Sequence, residues 1–504
     1  MDIDHILAES ELLNHLNIFD FSLEAGRTEF SRMLKSPWTI SSQILESRQA
    51  KIQSLRKNPD ALNLVKTQLE NLQSAEALLL AHKPTESSKV AEGQIFFQGD
   101  ATKHLNFVPY CILTCVFLKV WVAPLLALMM PLVLAVMPYV IMTQVMDMPL
   151  TWDMYTALMK QMVLGIQQGE PWRAKHWGQA IWTLVSVGQG IVQPFLTAYH
   201  TTKLDAEIIK RGEALHLIHK TIVNIKDRVR PYSDSFSDIF VPDIPAEAHE
   251  AAAWYDSEPL GIQALWRALG KITVFTHLGL NLDWKPVTWK SPTESSLELA
   301  NFSDLAIPVE RAVNSTAEFQ GHGLLTGPNR GGKSSNLRAI LQQVLLGQTT
   351  GFTFRASGSW KPFGLVFTRL KSRDTAGKES LFEMEVRFAS QIIQSLKKER
   401  RHALVLIDEL FHSTNPPDAE ISAKVFLDLL WPHRYIKSII STHIFNLCEM
   451  SHPVPVQTYR CNAYERDDGS IHYTYMLTEG PVCRVSSVQE VLHESGLVSA
   501  KRLS

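Results

Sequence analysis

The stretch Gly327–Ser334, GPNRGGKS, constrains the chain more than any other. It fits the pattern G-x-x-x-x-G-K-[ST], with the apolar residues Gly323, Leu324 and Leu325 before it and the helical NLRAILQQVLLGQ after it. A strand entering a glycine-rich loop that opens into a helix is the context this pattern needs. Its glycines let backbone N–H groups point inward at phosphate oxygens, and the helix N-terminus adds a favourable dipole. In such a loop Lys333 reaches the β- and γ-phosphates and Ser334 ligates Mg²⁺.

Two further strands carry chemistry. HALVLIDEL, His402–Leu410, is an apolar run ending in two acids. Asp408 is placed to hold the Mg²⁺ shell, and Glu409 to polarise an attacking water. KSIISTHIFNL is a second buried strand, ending in Ser441, Thr442 and His443. A histidine at that position can sense the γ-phosphate, although a lone histidine is more often structural.

Together these residues resemble the MutS family of mismatch-repair ATPases, a branch of the ABC-type ATPases. LLTGPNRGGKSSNLR is similar to that family's phosphate loop, with Arg330 where methionine is usual. LLGQTTGF resembles its glutamine loop, with Gln348 as the glutamine. VFTRLKSRDTAGKESLFEMEV is similar to the segment bearing the signature serine, here Ser380. LVLIDELFHSTNPPDAE, through Asp418, resembles the metal and base strand, STHIFNL the switch-histidine segment, and YERDDGSIHYTYMLTEG the closing hairpin.

The resemblance implies ATP and Mg²⁺ as cofactors. ATP would be held by Gly327, Pro328, Asn329, Gly331, Gly332, Lys333, Ser334, Ser335 and Gln348, with Ser380 reaching in from a second chain. Glu409, His443 and Lys333 would be catalytic, and Ser334 and Asp408 would hold the metal. It also implies a homodimer joined head to tail through the ATPase domains, lever helices that transmit the change, and DNA as the substrate. The family's N-terminal Phe-x-Glu mismatch reader has no counterpart before the helical core, so the chain is expected to lack that domain.

The apolar block points elsewhere. Between Phe107 and Val145 the sole charge is Lys119. That exceeds the roughly 20 apolar residues that span a bilayer. Pro124, Pro131 and Pro138 recur every seventh residue and would break a helix in water, whereas transmembrane helices tolerate them better. Trp177–Tyr199 also lacks charge but carries Gln179, Gln189 and Gln193, which suits either a second span or a helix buried in protein. Lys203, Lys210 and Arg211 follow it, consistent with a cytosolic C-terminal half.

The expected fold is therefore α plus α/β. Residues 1–104 form a helical region, 105–200 a hydrophobic block with one or two transmembrane helices, 201–283 lever-like helices and 284–504 the ATPase domain. With 49 basic and 51 acidic residues, the chain has no basic footprint that would advertise nucleic acid. Five scattered cysteines exclude a disulfide framework and suit a reducing compartment. The first thirty residues do not read as a signal peptide. The expected location is a membrane with the ATPase domain in the cytosol, or the nucleus if the block is not inserted. Two functions compete: a DNA-dependent repair ATPase, and a membrane-anchored ATP-driven switch with a non-DNA cargo. A dead scaffold is disfavoured, because the loop lysine, both acids and the switch histidine are all present.

Overall fold

The structure is a computed structural model that describes residues 3–36, 41–82, 85–164, 174–291, 294, 296–371, 380–466, 470–486, 488, 490, 491 and 495. The chain divides into two compact units, one of residues 1–70, 224–239 and 267–504, the other of residues 71–223 and 240–266. The first unit begins with four helices, α1 (Ile3–Ser10), α2 (Glu24–Leu34), α3 (Ser42–Arg56) and α4 (Pro59–Glu70). Ser41 caps α3 by accepting from the Ile44 N–H, which satisfies one of the unpaired donors at a helix start.

The second unit is helical. It contains α5 (Gln73–Ala81), α6 (Glu86–Glu92), α7 (Cys111–Phe117), α8 (Ala123–Val140), α9 (Trp152–Leu164), most of α10 (Ala174–Val229), α11 (Ala248–Ser257) and the start of α12 (Pro259–Leu280). A wide π turn at Leu118–Val122 joins α7 to α8, and another at Ile141–Val145 extends α8, giving one helical run from Cys111 to Val145. The first π turn sits just ahead of Pro124. There the Ala123 N–H bonds to the Leu118 carbonyl, five residues back. The wider turn relieves the clash a proline ring makes with the carbonyl four residues before it. The apolar surface of this run faces outward: Leu125, Leu126, Leu132 and Leu134 are each more than half exposed. Among the described residues it is the one helix long and apolar enough to cross a membrane. Trp177–Tyr199 forms the first half of α10, where its three glutamines dilute the apolar character.

Arg211 does not sit at a water-facing end of that helix. It is buried, and its guanidinium lies 2.8 Å from Glu92 and 3.5 Å from Asp256. His82 reaches Asp256 at 3.2 Å. His82, Glu92 and Asp256 converge closely enough to hold a metal ion, but Arg211 supplies the positive charge there. Burial raises the Glu92 carboxyl above its ordinary value, and the Arg211 charge opposes that rise.

The chain then returns to the first unit. Short strands β1 (Trp284–Pro286), β2 (Thr288–Trp289), β3 (Leu297–Phe302) and β4 (Ser315–Phe319) lead to β5 (His322–Thr326), α13 (Lys333–Thr350), β6 (Phe352–Phe354), β7 (Ser357–Trp360) and β8 (Leu365–Arg369). After them come α14 (Leu381–Lys398), β9 (Ala403–Ile407), α15 (Pro416–Leu430), β10 (Ile436–Ser441), α16 (Asn446–Glu449), β11 (Val456–Glu465) and β12 (Ile471–Glu479). Six strands make the main sheet in the order β12-β11-β5-β10-β9-β8. All neighbours are parallel except the β11–β12 edge hairpin. Every residue of β5, β9 and β10 is buried. Strands covered on both faces read as unbroken apolar runs, which is why ALVLI and the residues before the loop are legible as strands.

The core of this unit draws on residues far apart in the chain. Phe19 lies 5.1 Å from Phe30, 5.2 Å from Trp284 and 5.1 Å from Phe354, measured between ring centres. Helix α13 is buried along nearly its whole length, and its glutamines are satisfied by backbone. Gln342 donates to the Ser10 carbonyl at 2.9 Å, and Gln343 exchanges two hydrogen bonds with Phe354. Arg56 donates to the carbonyls of Leu278 and Trp284, each at 2.7 Å. Helices α1 to α3 thus help to build the core that also supports the main sheet.

Candidate functional site

Strand β5 delivers the loop at its C-terminal end. Gly327 has φ +152°, and a Cβ there would lie 2.8 Å from the Cys461 carbonyl, so a side chain would have to displace β11. Gly332, at φ +93°, is the N-cap of α13. Both positions need the freedom that glycine alone has at no steric cost. Lys333 opens α13 and is buried, with Nζ folded back onto the carbonyls of Gly327 (3.0 Å) and Pro328 (3.2 Å). Burial lowers the pKa of its ammonium group, and the charges of Asp408 and Glu409 oppose that fall. Asn336, one turn later, braces the loop from behind: it donates to Gly332 O (2.9 Å) and Tyr475 O (3.0 Å) and accepts from Ser315 Oγ (2.8 Å).

Parallel pairing of Ile407 with Ile440 brings the ends of β9 and β10 level. Ser441 Oγ donates to the Asp408 carboxylate and accepts from the Glu409 N–H at 2.8 Å, joining the two strand ends. The backbone then turns sharply. Glu409 has φ 54° and Phe411 φ 53°. The left-handed conformation costs a non-glycine residue about 1–2 kcal/mol. His443 Nε2 lies 3.4 Å from Glu409 Oε1. That contact is the main reason the Glu409 carboxyl is held below its ordinary pKa, with partial burial opposing and Lys333 adding a smaller pull. Glu409 is therefore ionised at neutral pH, as a base must be.

These elements surround a pocket of about 550 Å³, within the range of small-molecule sites. Pro328, Asn329, Gly331, Gly332, Lys333, Ser334, Ser335 and Glu409 line it. Gly327 takes part through its carbonyl, Asp408 through the Ser441 link, and His443 through Glu409. Gln348 is not brought to the loop. It is buried fifteen residues along α13 from Lys333, about 22 Å at helical rise. Its amide donates to Phe363 O (2.9 Å) and accepts from Phe363 N–H (2.7 Å), so both ends are committed to backbone. Ser380 is the N-cap of α14, in a reciprocal capping box with Glu383, and does not line this pocket.

The opposite wall is not evident in the motifs. It consists of Asp304, Ile307, Arg311, Ala312 and Val313, with Tyr475 from β12. Arg338 of α13 fixes Asp304 by two bonds of 2.9 and 2.6 Å and also meets Glu11 at 3.2 Å. A loop between two short strands has no periodicity to mark it. The buried Asn336 is the one member that the loop's own helix could have signalled.

A glycine loop at a helix N-terminus, a lysine within it and two acids at the end of a parallel strand one place removed in the same sheet are the features of a phosphate-binding-loop domain of the α/β class. Ser334 and Asp408 offer the oxygen donors that Mg²⁺ prefers. Residues 323–497 match the family model of MutS domain V. That segment of the chain is therefore similar to the fifth domain of MutS proteins, and the relatives below match over a similar share of the chain. The chain is 28% identical over 202 residues to the DNA mismatch repair protein MutS of Leuconostoc mesenteroides subsp. mesenteroides, covering 38% of this chain and 23% of that protein. The mitochondrial DNA mismatch repair protein MSH1 of Arabidopsis thaliana is 33% identical over 189 residues, covering 37% and 16%. The MutS of Streptococcus equi subsp. equi is 29% identical over 159 residues, covering 31% and 18%. The match thus spans less than a quarter of each relative's length.

Proposed function

We propose that this chain binds and hydrolyses ATP with Mg²⁺ in a head-to-tail dimer and uses the cycle to drive a conformational switch. The observation that carries this reading is that Lys333, Glu409 and the loop residues Pro328 to Ser335 line one pocket, with His443 in contact with Glu409. Lys333 would exchange its loop carbonyls for phosphate oxygens, and Ser334 and Asp408 would hold the metal, which would neutralise charge on the phosphates. Glu409 orients and deprotonates the attacking water, and His443 holds the carboxylate. ATP itself supplies the reactive phosphoanhydride. Ser380 of each chain completes the site of the other. By its relatives' names, DNA of the mismatch-repair type is the first substrate to test.

A second reading is favoured by the exposed apolar helix Cys111–Val145. Contiguous exposed apolar surface of this kind marks a contact with a membrane or another protein. In this reading the helix anchors the chain in a bilayer, the ATPase domain faces the cytosol, and the cargo is not DNA. One experiment addresses both: turnover of the full chain in detergent without DNA, with matched duplex and with mismatched duplex, alongside alkaline extraction of membranes that contain it. DNA-dependent turnover supports the repair-type reading, and DNA-indifferent turnover with retention in the pellet supports the second. Loss of no turnover in Glu409→Ala would sink the site assignment under either.

A further inference from the structure

Glu385 is a buried carboxylate outside the pocket, on the second turn of α14, and it gathers three donors. Ser413 Oγ donates to it at 2.7 Å, His412 Nδ1 lies at 2.9 Å, and Arg369 Nη2 lies at 3.5 Å. A buried carboxylate is costly unless it is satisfied in this way. Two of the three donors come from the loop that follows Glu409.

His412 faces both ways. Its Nδ1 is 3.1 Å from the Glu409 carbonyl as well as 2.9 Å from Glu385. Both partners are oxygen acceptors, so Nδ1 carries the hydrogen whatever the state of Nε2. On the other side of the Glu409 Cα, the N–H of the preceding peptide is held by Ser441 Oγ. Between these anchors the backbone adopts the left-handed turn at Glu409 and again at Phe411. The orientation of these two peptides sets where the Glu409 side chain points.

We propose that Glu385 and His412 form a positioning couple that fixes the Glu409 carboxylate for taking the proton of the attacking water. The proposal rests on the reading of Glu409 as the hydrolytic base. His412 touches neither the pocket nor any reacting atom and acts through the Glu409 carbonyl, and Glu385 acts through His412.

The test uses the full chain in detergent. It measures kcat and KM for ATP, together with the equilibrium affinity for a non-hydrolysable ATP analogue. His412→Ala is expected to lower kcat about tenfold, equivalent to roughly 1.4 kcal/mol of barrier, with analogue affinity within about twofold of native. His412→Asn places an amide N–H near the position of Nδ1 and is expected to recover most of the loss. In a Glu409→Ala background His412→Ala should add nothing further, because both act through one group. His412 is about one-third exposed, so these changes leave the core intact. If Glu409→Ala abolishes turnover while His412→Ala turns over like the native chain, the couple is refuted and the site stands. An equal loss of analogue affinity, or no recovery in His412→Asn, also refutes it in favour of a general structural role. If Glu409→Ala hydrolyses ATP normally, the underlying reading of the site fails first.

Discussion

Replacing Phe19 by alanine should loosen the phosphate-loop unit from a position more than three hundred residues upstream of the loop. Phe19 is fully buried, and its ring meets Phe21, Phe30, Trp284 and Phe354 at centre distances of 6.3, 5.1, 5.2 and 5.1 Å. A buried Phe→Ala change costs about 3–5 kcal/mol. Phe30 and Trp284 cannot collapse into the cavity without leaving their own contacts, so the upper half of that range is expected. A chain with two compact units does not unfold in one step, so a global midpoint is the wrong readout. Hydrogen exchange read peptide by peptide reports local opening instead. Peptides covering Phe352–Phe354 and the C-terminal half of α13 should exchange roughly 700 to 4,000 times faster, following the 1.4 kcal/mol per decade relation. Peptides from 240–258, in the other unit, serve as the control. Unchanged exchange at Phe352–Phe354 would refute the shared core, and an equal rise in the control peptides would mean the effect is not local.

Two further outcomes test the electrostatics. The Glu409 carboxyl is depressed chiefly by His443, so in the native chain it stays ionised to lower pH and hydrolysis is lost only as pH falls through that lowered value. In His443→Ala that pKa rises, and the acid limb of the pH–rate profile should move to higher pH even though kcat is also reduced. A limb that stays in place would show that His443 does not set it. In the second unit, Arg211→Ala leaves Glu92 and Asp256 without their buried counter-charge, which should destabilise that unit by about 3–5 kcal/mol. Zn²⁺ should then stabilise the variant in thermal unfolding but not the native chain, because only the variant presents His82, Glu92 and Asp256 without a competing guanidinium.

Much of the site was legible because its chemistry is local. The loop residues are consecutive, and the two acids and the histidine each end an apolar run that a parallel sheet must bury. The partners of those residues were not legible. Gln348 sits in a segment resembling a nucleotide-binding loop, yet its surroundings are decided by Phe363, whose backbone matches both ends of the amide. Arg211 reads as one of three basic residues after an apolar segment, and only folding shows that it meets Glu92 and Asp256. Asp304 and Arg311 come to the pocket from the connection between β3 and β4 and Tyr475 from strand β12, and no local pattern marks them as partners of the loop. The aromatic residues of α2 and the segment before it show helical spacing that announces a buried face. What buries that face is Trp284 and Phe354, and a local pattern cannot name partners at that distance.

That distance has a consequence for how the chain is made. Gln342 reaches back to the Ser10 carbonyl across 332 residues, and the Leu370 N–H reaches Glu9 across 361. At about 5–20 residues per second, the first helices leave the ribosome roughly 15–70 s before their permanent neighbours exist. Ile6, Leu7, Phe19 and Phe30 have no lasting cover in that interval. The apolar run Cys111–Val145 emerges within the same window, well before the strand that carries the phosphate loop. Whatever receives that run first, bilayer or chaperone, does so while most of the phosphate-loop unit is still unsynthesised. The order of assembly is therefore set by where the second unit interrupts the first along the chain.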